Sequence, residues 1–144
     1  MAKHKPQPDY SSVVVAEAPC GVLVIQKSGK EYFEFPAGKK HANDRDPRFT
    51  AAREAREEAG LKLMVDQLGF AGSDLHFNPF THNPFYMMVF SAKLSDKKIM
   101  SHHMMSKEGE RTAVLTWAQL NALGDKFSPL HRHLAEKFGV WRNK

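Results

Sequence analysis

The sequence predicts an α/β fold, a mixed β-sheet packed between helices. Three observations carry this. Runs rich in valine and other apolar residues at 12–16, 21–26 and 85–94 read as strands. Between them, residues 47–59 carry helix start and stop signals. After the last strands a second helical stretch closes the chain, so strands and helices alternate in a way that layers one on the other.

The elements follow in order. Residues 1–10 are polar and proline-bearing and read as a flexible tail ahead of a single domain, 11–144. Ser12 to Ala16 and Gly21 to Gln26 are strands, and Ser28-Gly29-Lys30 is a turn into the aromatic strand Glu31 to Phe35. Lys39 to Arg45 is a polar loop. Asp46 is an N-cap with Pro47 at the first helical position, and Gly60 stops the helix. Leu61 to Gly69 is expected to continue as a strand. Ser73 to Asn83 reads as irregular or as a strand pair with a bulged connection. Phe85 to Leu94 is the strongest strand, followed by a turn at Ser95-Asp96-Lys97. Residues 100–111 form a polar loop, Thr112 to Trp117 a short strand, Ala118 to Leu123 a short helix and Pro129 to Phe138 a longer one.

Composition narrows the function. No apolar run approaches the ~18 residues of a membrane span, and no membrane partner is expected. Cys20 is the only cysteine, so no intrachain disulfide can form, which fits a reducing cytoplasm. Cys20 itself is expected to be a small buried hydrophobe. The net charge of +5 and pI of about 9.4 favour anionic partners. The basic residues are scattered in short groups, and Arg132, His133, Lys137, Arg142 and Lys144 are expected on the outer face of the terminal helix. Phe77, Phe80, Phe85 and Tyr86 are expected to pack in a hairpin and in the core, and His102-His103 to face solvent.

The segment Arg53-Glu-Ala-Arg-Glu-Glu-Ala-Gly-Leu61 is electrostatically odd. At about 100° per residue, Glu54, Glu57 and Glu58 share one helix sector, and Ala51, Ala52, Ala55 and Ala59 fill the next. Glu54 and Glu58 are like charges at i,i+4. Glu57 and Glu58 also lie at the negative end of the helix dipole. A hard divalent cation, which takes carboxylate oxygens, would relieve both conflicts. The alternative is a solvated charged face with a weak Arg53–Glu57 pair.

Gly38 together with Arg53 to Leu61 resembles the Nudix box, Gly-x5-Glu-x7-Arg-Glu-U-x-Glu-Glu-x-Gly-U with U apolar. The helix half matches at every fixed position. The loop half departs: Arg45 stands where the first box glutamate belongs, and Gly38 lies one residue further upstream than the pattern requires. Asp44 and Asp46 are the candidates to replace that glutamate.

The resemblance implies an α/β/α sandwich that hydrolyses a nucleoside diphosphate linked to another group, or a similar polyanionic diphosphate. Glu54, Glu57 and Glu58 would bind Mg²⁺ or Mn²⁺, with a main-chain carbonyl of Ala37 or Gly38 completing the set. Arg53 would orient a neighbouring glutamate, and Glu110 (or Glu108) would supply a further carboxylate. Lys39, Lys40 and His41 are candidates to grip the anionic substrate. The run Arg-Glu-Ala-x-Glu-Glu-Ala-Gly is similar to that of the diphosphoinositol polyphosphate phosphohydrolase-like branch. Dinucleoside polyphosphates, nucleotide sugars and capped RNA ends stay open as substrates, and the molecule is expected as a monomer or homodimer. The competing reading is a Nudix-fold module that binds nucleotide or RNA with little catalysis.

Overall fold

A computed structural model describes residues 9–27, 31–106 and 109–143. The expected turn at 28–30, Glu108 and Lys144 lie outside these residues.

The sheet is organised around β1 (Asp9–Ala18). Its apolar run Val13-Val-Val-Ala16 is buried on both faces, as a central strand between two layers must be. Asp9 and Tyr10 already pair with Phe85 and Tyr86, so the sheet takes up the last two residues of the expected tail. One edge of β1 pairs in parallel with β6 (Pro84–Lys93). The other edge forks. Glu17 and Ala18 turn back antiparallel onto β2 (Gly21–Gln26), whereas Ser11, Ser12 and Val13 pair antiparallel with β4 (Ala37–Lys39). β3 (Phe33–Glu34) and β7 (Arg111–Leu115) both pair antiparallel with β2, and β5 (Gly69–Phe77) with β6.

Each sheet face has its own core. Val13, Val15, Val22, Val24 and Val89 pack with Phe35, Phe127, Leu134 and Trp141 under α3 (Trp117–Leu123) and α4 (Pro129–Lys137). Val14, Ala16, Leu23, Ile25 and Phe90 pack with Ala51, Ala59 and Leu61 under α1 (Pro47–Ala59). The strand period of two divides consecutive valines between the two cores. The expected mixed sheet between helices is therefore present.

α1 follows its sequence signals closely. Asp46 accepts from the Arg48 N–H (2.8 Å), and Pro47 fills the first turn. Gly60 takes φ 65°, and the N–H groups of Gly60 and Leu61 return to the carbonyls of Arg56 (2.8 Å) and Ala55 (3.2 Å). That double return is the glycine-terminated ending a left-handed residue allows. Ala51, Ala55 and Ala59 are fully buried. Their small side chains let the helix lie close to the sheet.

Several expectations change. Leu61 to Leu68 is not a strand. The Gln67 side chain accepts from the Met64 N–H (2.8 Å), closing a 3-10 turn at Val65–Gln67, and β5 begins only at Gly69. β5 carries a bulge between Phe70 and Gly72. Ser95 accepts from Lys98 N–H (3.1 Å) and starts a one-turn helix, α2 (Asp96–Ile99), where a simple turn was expected. Thr116 and Gln119 cap one another reciprocally, so Trp117 opens α3 and does not end β7. Cys20 is exposed in the β1–β2 connection, its N–H donating to Asp96. Phe77, at the end of the edge strand β5, and Phe80, in the turn between β5 and β6, are also exposed, at 62% and 91%, not packed in the core. Arg142 lies beyond α4 and pairs with Glu17 (2.7 Å).

Candidate active site

The fork in β1 pairing builds the site. It sends β4 alongside the start of β1 and against the carboxylate face of α1. There the N–H of Ala37 donates to Glu58 Oε1 (2.8 Å). Gly38 meets Glu54 so closely that a β-carbon at residue 38 would overlap the carboxylate. Lys27, just past β2, and Glu110, just before β7, come from the adjoining strands. Lys27, Ala37, Glu54, Glu58 and Glu110, with Glu57, Arg56, His103, Met105 and Ser106, line one cleft of about 520 Å³.

The glutamates differ in environment. Glu54 is buried, at 8% exposure, whereas the Glu57 side chain is about half exposed. Arg53 Nη1 donates to both, at 2.8 Å to Glu54 and 3.1 Å to Glu57. Burial raises the pKa of Glu54, opposed by the Arg53 charge. Burial pushes Glu58 up to about 9, and the nearby Glu54 and Glu110 charges push the same way against the Ala37 N–H and Lys27. The site thus holds more carboxylate than its own cations neutralise.

Glu110 is set in place locally, its N–H donating to Ser106 Oγ (3.1 Å). Lys27 Nζ bridges Glu34 (3.0 Å) and Glu110 Oε1 (3.3 Å). Burial works against the Lys27 charge, but the Glu34 hydrogen bond and the charges of Glu34, Glu110 and Glu58 together outweigh it and the ammonium pKa rises. The second oxygen, Glu110 Oε2, is buried without a hydrogen-bond partner among the described residues. Buried oxygens are seldom left so.

The residues present fit a hard cation. The donors are oxygens, burial raises the pKa of two of the carboxylates, Glu54 and Glu58, and one buried carboxylate oxygen, Glu110 Oε2, has no partner among the described residues. The ligand set is not preassembled: among the described residues no three acidic, histidine or cysteine side chains stand grouped for a metal. Arg53 engages Glu54 and Glu57, and the Ala37 N–H engages Glu58.

Sequence reasoning placed Arg53, Glu54, Glu57, Glu58, Glu110, Ala37 and Gly38, and the fold brings them together. Lys39 and Lys40 line another cleft, of about 300 Å³, with Tyr10, Asn78 and Asn83, and Lys40 Nζ lies 5.7 Å from the Tyr10 ring centre. His41 is exposed, its N–H donating to Asp44 (2.8 Å). These three therefore do not line the glutamate cleft. Lys27, Glu34 and His103 were missed. His103 reaches the cleft because its N–H bonds the Ala59 carbonyl (2.6 Å) and its ring covers Gly60. His102 is half-buried, with Nδ1 2.8 Å from Thr112 Oγ1, and not simply solvent-facing. A further cleft, of about 560 Å³, lies at Glu17, Trp117 and Arg142, where Glu17 is already paired with both neighbours.

The profile of the NUDIX domain matches residues 6–138 of the chain. The chain belongs to the Nudix family. Its class is that of the Nudix-type diphosphatases, which act on acid anhydrides. Its α/β/α sandwich is shared with a NUDIX hydrolase from Nitrosomonas europaea, at TM-score 0.69 and 17% identity over 93% of this chain and 90% of that one. The NUDIX domain of Shewanella oneidensis NrtR, solved with ADP ribose, matches at TM-score 0.68 and 15% identity over 92% and 86%. A Francisella tularensis bifunctional NMN adenylyltransferase/ADP ribose pyrophosphatase, solved with AMP and a Mn ion, matches at TM-score 0.67 and 14% identity. There the Nudix chain covers 94% of itself and 42% of its counterpart. No curated protein sequence matches this Nudix chain.

Proposed function

We propose that the chain hydrolyses a diphosphate bond in a nucleoside diphosphate linked to another group, or in a similar polyanion, with Mg²⁺ or Mn²⁺. The observation that carries this is the α1 carboxylate face: three glutamates turned to one cleft, two of them with pKa raised by burial. Glu54, Glu57 and Glu58 would hold the metal, with the carbonyl of Ala37 or Gly38. The metal supplies charge neutralisation of the diphosphate and activation of water.

The chain's own residues do the remaining work. Arg53 fixes the direction of Glu54 and Glu57. Glu110 offers Oε2 as acceptor for the proton of the attacking water, while Lys27, itself paired with Glu34, holds Oε1. The net charge of +5 draws a polyanion to the surface. ADP ribose, present in the Shewanella structure and named as substrate of the Francisella protein, makes ADP-ribose-like compounds the first to assay. Diphosphoinositol polyphosphates are the second, on the strength of the Arg53–Gly60 run and the charge. Phosphate release from a panel of both, with and without Mg²⁺, is the test. Metal-dependent release from at least one is expected. Tight binding without release from any would favour the binding-module reading.

A further inference from the structure

Position 45, where the box pattern has a glutamate, holds Arg45, and its side chain turns outward. Its guanidinium carbon lies 5.8 Å from the centre of the Phe49 ring. Asp44 turns the other way. Its side chain is only 7% exposed. Oδ1 accepts from Arg53 Nε (3.2 Å), and Oδ2 accepts from Arg53 Nη2 (3.0 Å), Thr50 Oγ1 (2.8 Å) and the His41 N–H (2.8 Å). The same Nη2 also donates to the Lys39 carbonyl (2.9 Å).

Arg53 is thereby divided into two working edges. Nε and Nη2 form a two-pronged grip on Asp44, and Nη1 is left for Glu54 and Glu57. A guanidinium is planar and stiff, so fixing one edge fixes the direction of the other. We infer that Asp44 is a positioning residue for the glutamate cluster, acting through Arg53 from a loop one residue longer than the box pattern. This rests on the metal-site reading above. In this lengthened loop, with Arg45 turned outward, the carboxylate that grips the Arg53 guanidinium comes from the preceding position.

Mn²⁺ affinity, read by calorimetry on the whole chain, separates positioning from a purely structural tie. Asp44→Asn keeps the shape but loses the charged grip on Arg53. It should weaken Mn²⁺ binding about tenfold and lower kcat with little change in KM, while Asp44→Glu, which keeps a carboxylate, recovers part of both. Thr50→Val removes one tie of the loop to Asp44 and spares Arg53. It should lower the melting temperature and leave Mn²⁺ affinity within about twofold. Equal weakening by Thr50→Val and Asp44→Asn would overturn the inference. Glu58→Gln is the control. If it binds Mn²⁺ like wild type, the metal-site reading falls and this one with it. If Glu58→Gln weakens binding but Asp44→Asn does not, only the inference about Asp44 falls.

Discussion

Gly38 lies against the Glu54 carboxylate with no room for a β-carbon between them. The obstructing atoms are the far end of a flexible side chain, so an added methyl would displace the carboxylate before it displaced the backbone. Gly38→Ala should therefore fold with only a modest loss of melting temperature, yet lower kcat by about 100-fold or more through misplacement of Glu54. Thermal melts beside steady-state kinetics check this. A large loss of stability with normal kcat in the folded fraction would contradict it.

Glu58 Oε1 accepts from the Ala37 N–H, a role that glutamine can keep. Glu58→Gln removes a charge that burial disfavours. The metal-free variant should thus be at least as stable as wild type near neutral pH, and Glu57→Gln, half exposed, close to neutral. Both should lose metal-dependent turnover. Full activity in both variants would remove the glutamates from the chemistry.

The free oxygen of Glu110 is expected to matter in kcat more than in KM. Removal of a general base costs roughly 10²–10⁴-fold, and Glu110→Gln should fall in or just below that range. Lys27→Met should follow in the same direction, because it releases the oxygen that Lys27 now holds. Steady-state rates of the two variants within about twofold of wild type would leave Glu110 as an ordinary buried ion-pair partner.

His131 on α4 governs a pH dependence of folding stability. Its Nδ1 accepts from the Phe35 N–H (3.1 Å), and burial lowers its pKa from 6.5 to about 4. The unfolded chain binds this proton more readily than the folded one, so stability is full above pH 6.5 and declines as pH falls towards 4. A shift of that size corresponds to about 3 kcal/mol between the two limits. Urea unfolding of wild type and His131→Gln from pH 8 to pH 4 should differ by that decline, because the Glu58 contribution, which runs the opposite way, is common to both. Parallel profiles would exclude His131 as the source.

Much of this was legible in local sequence because the causes are local. The N-cap at Asp46, Pro47 in the first turn and Gly60 at φ 65° act within a few residues, and α1 appears where they place it. The i, i+3 and i+4 spacing of Glu54, Glu57 and Glu58 determines that they share a face wherever the helix lies. The central strands were legible for a similar reason, since a doubly buried strand needs an unbroken apolar run. By itself, then, the sequence determined the carboxylate face, its box-like pattern and the layers around it.

Tertiary structure decided what meets that face. The forked pairing of β1 brings the Ala37 N–H and Gly38 to the glutamates and keeps Lys39 and Lys40 to a cleft of their own. Lys27 and Glu110 are 83 residues apart and become partners only because β2 and β7 are neighbours. Whether Asp44, Arg45 or Asp46 answers Arg53 also lay beyond sequence, since in an irregular loop side-chain direction follows no period. Asp46 is spent on the helix cap, Arg45 turns to Phe49, and Asp44 alone of the three points inward.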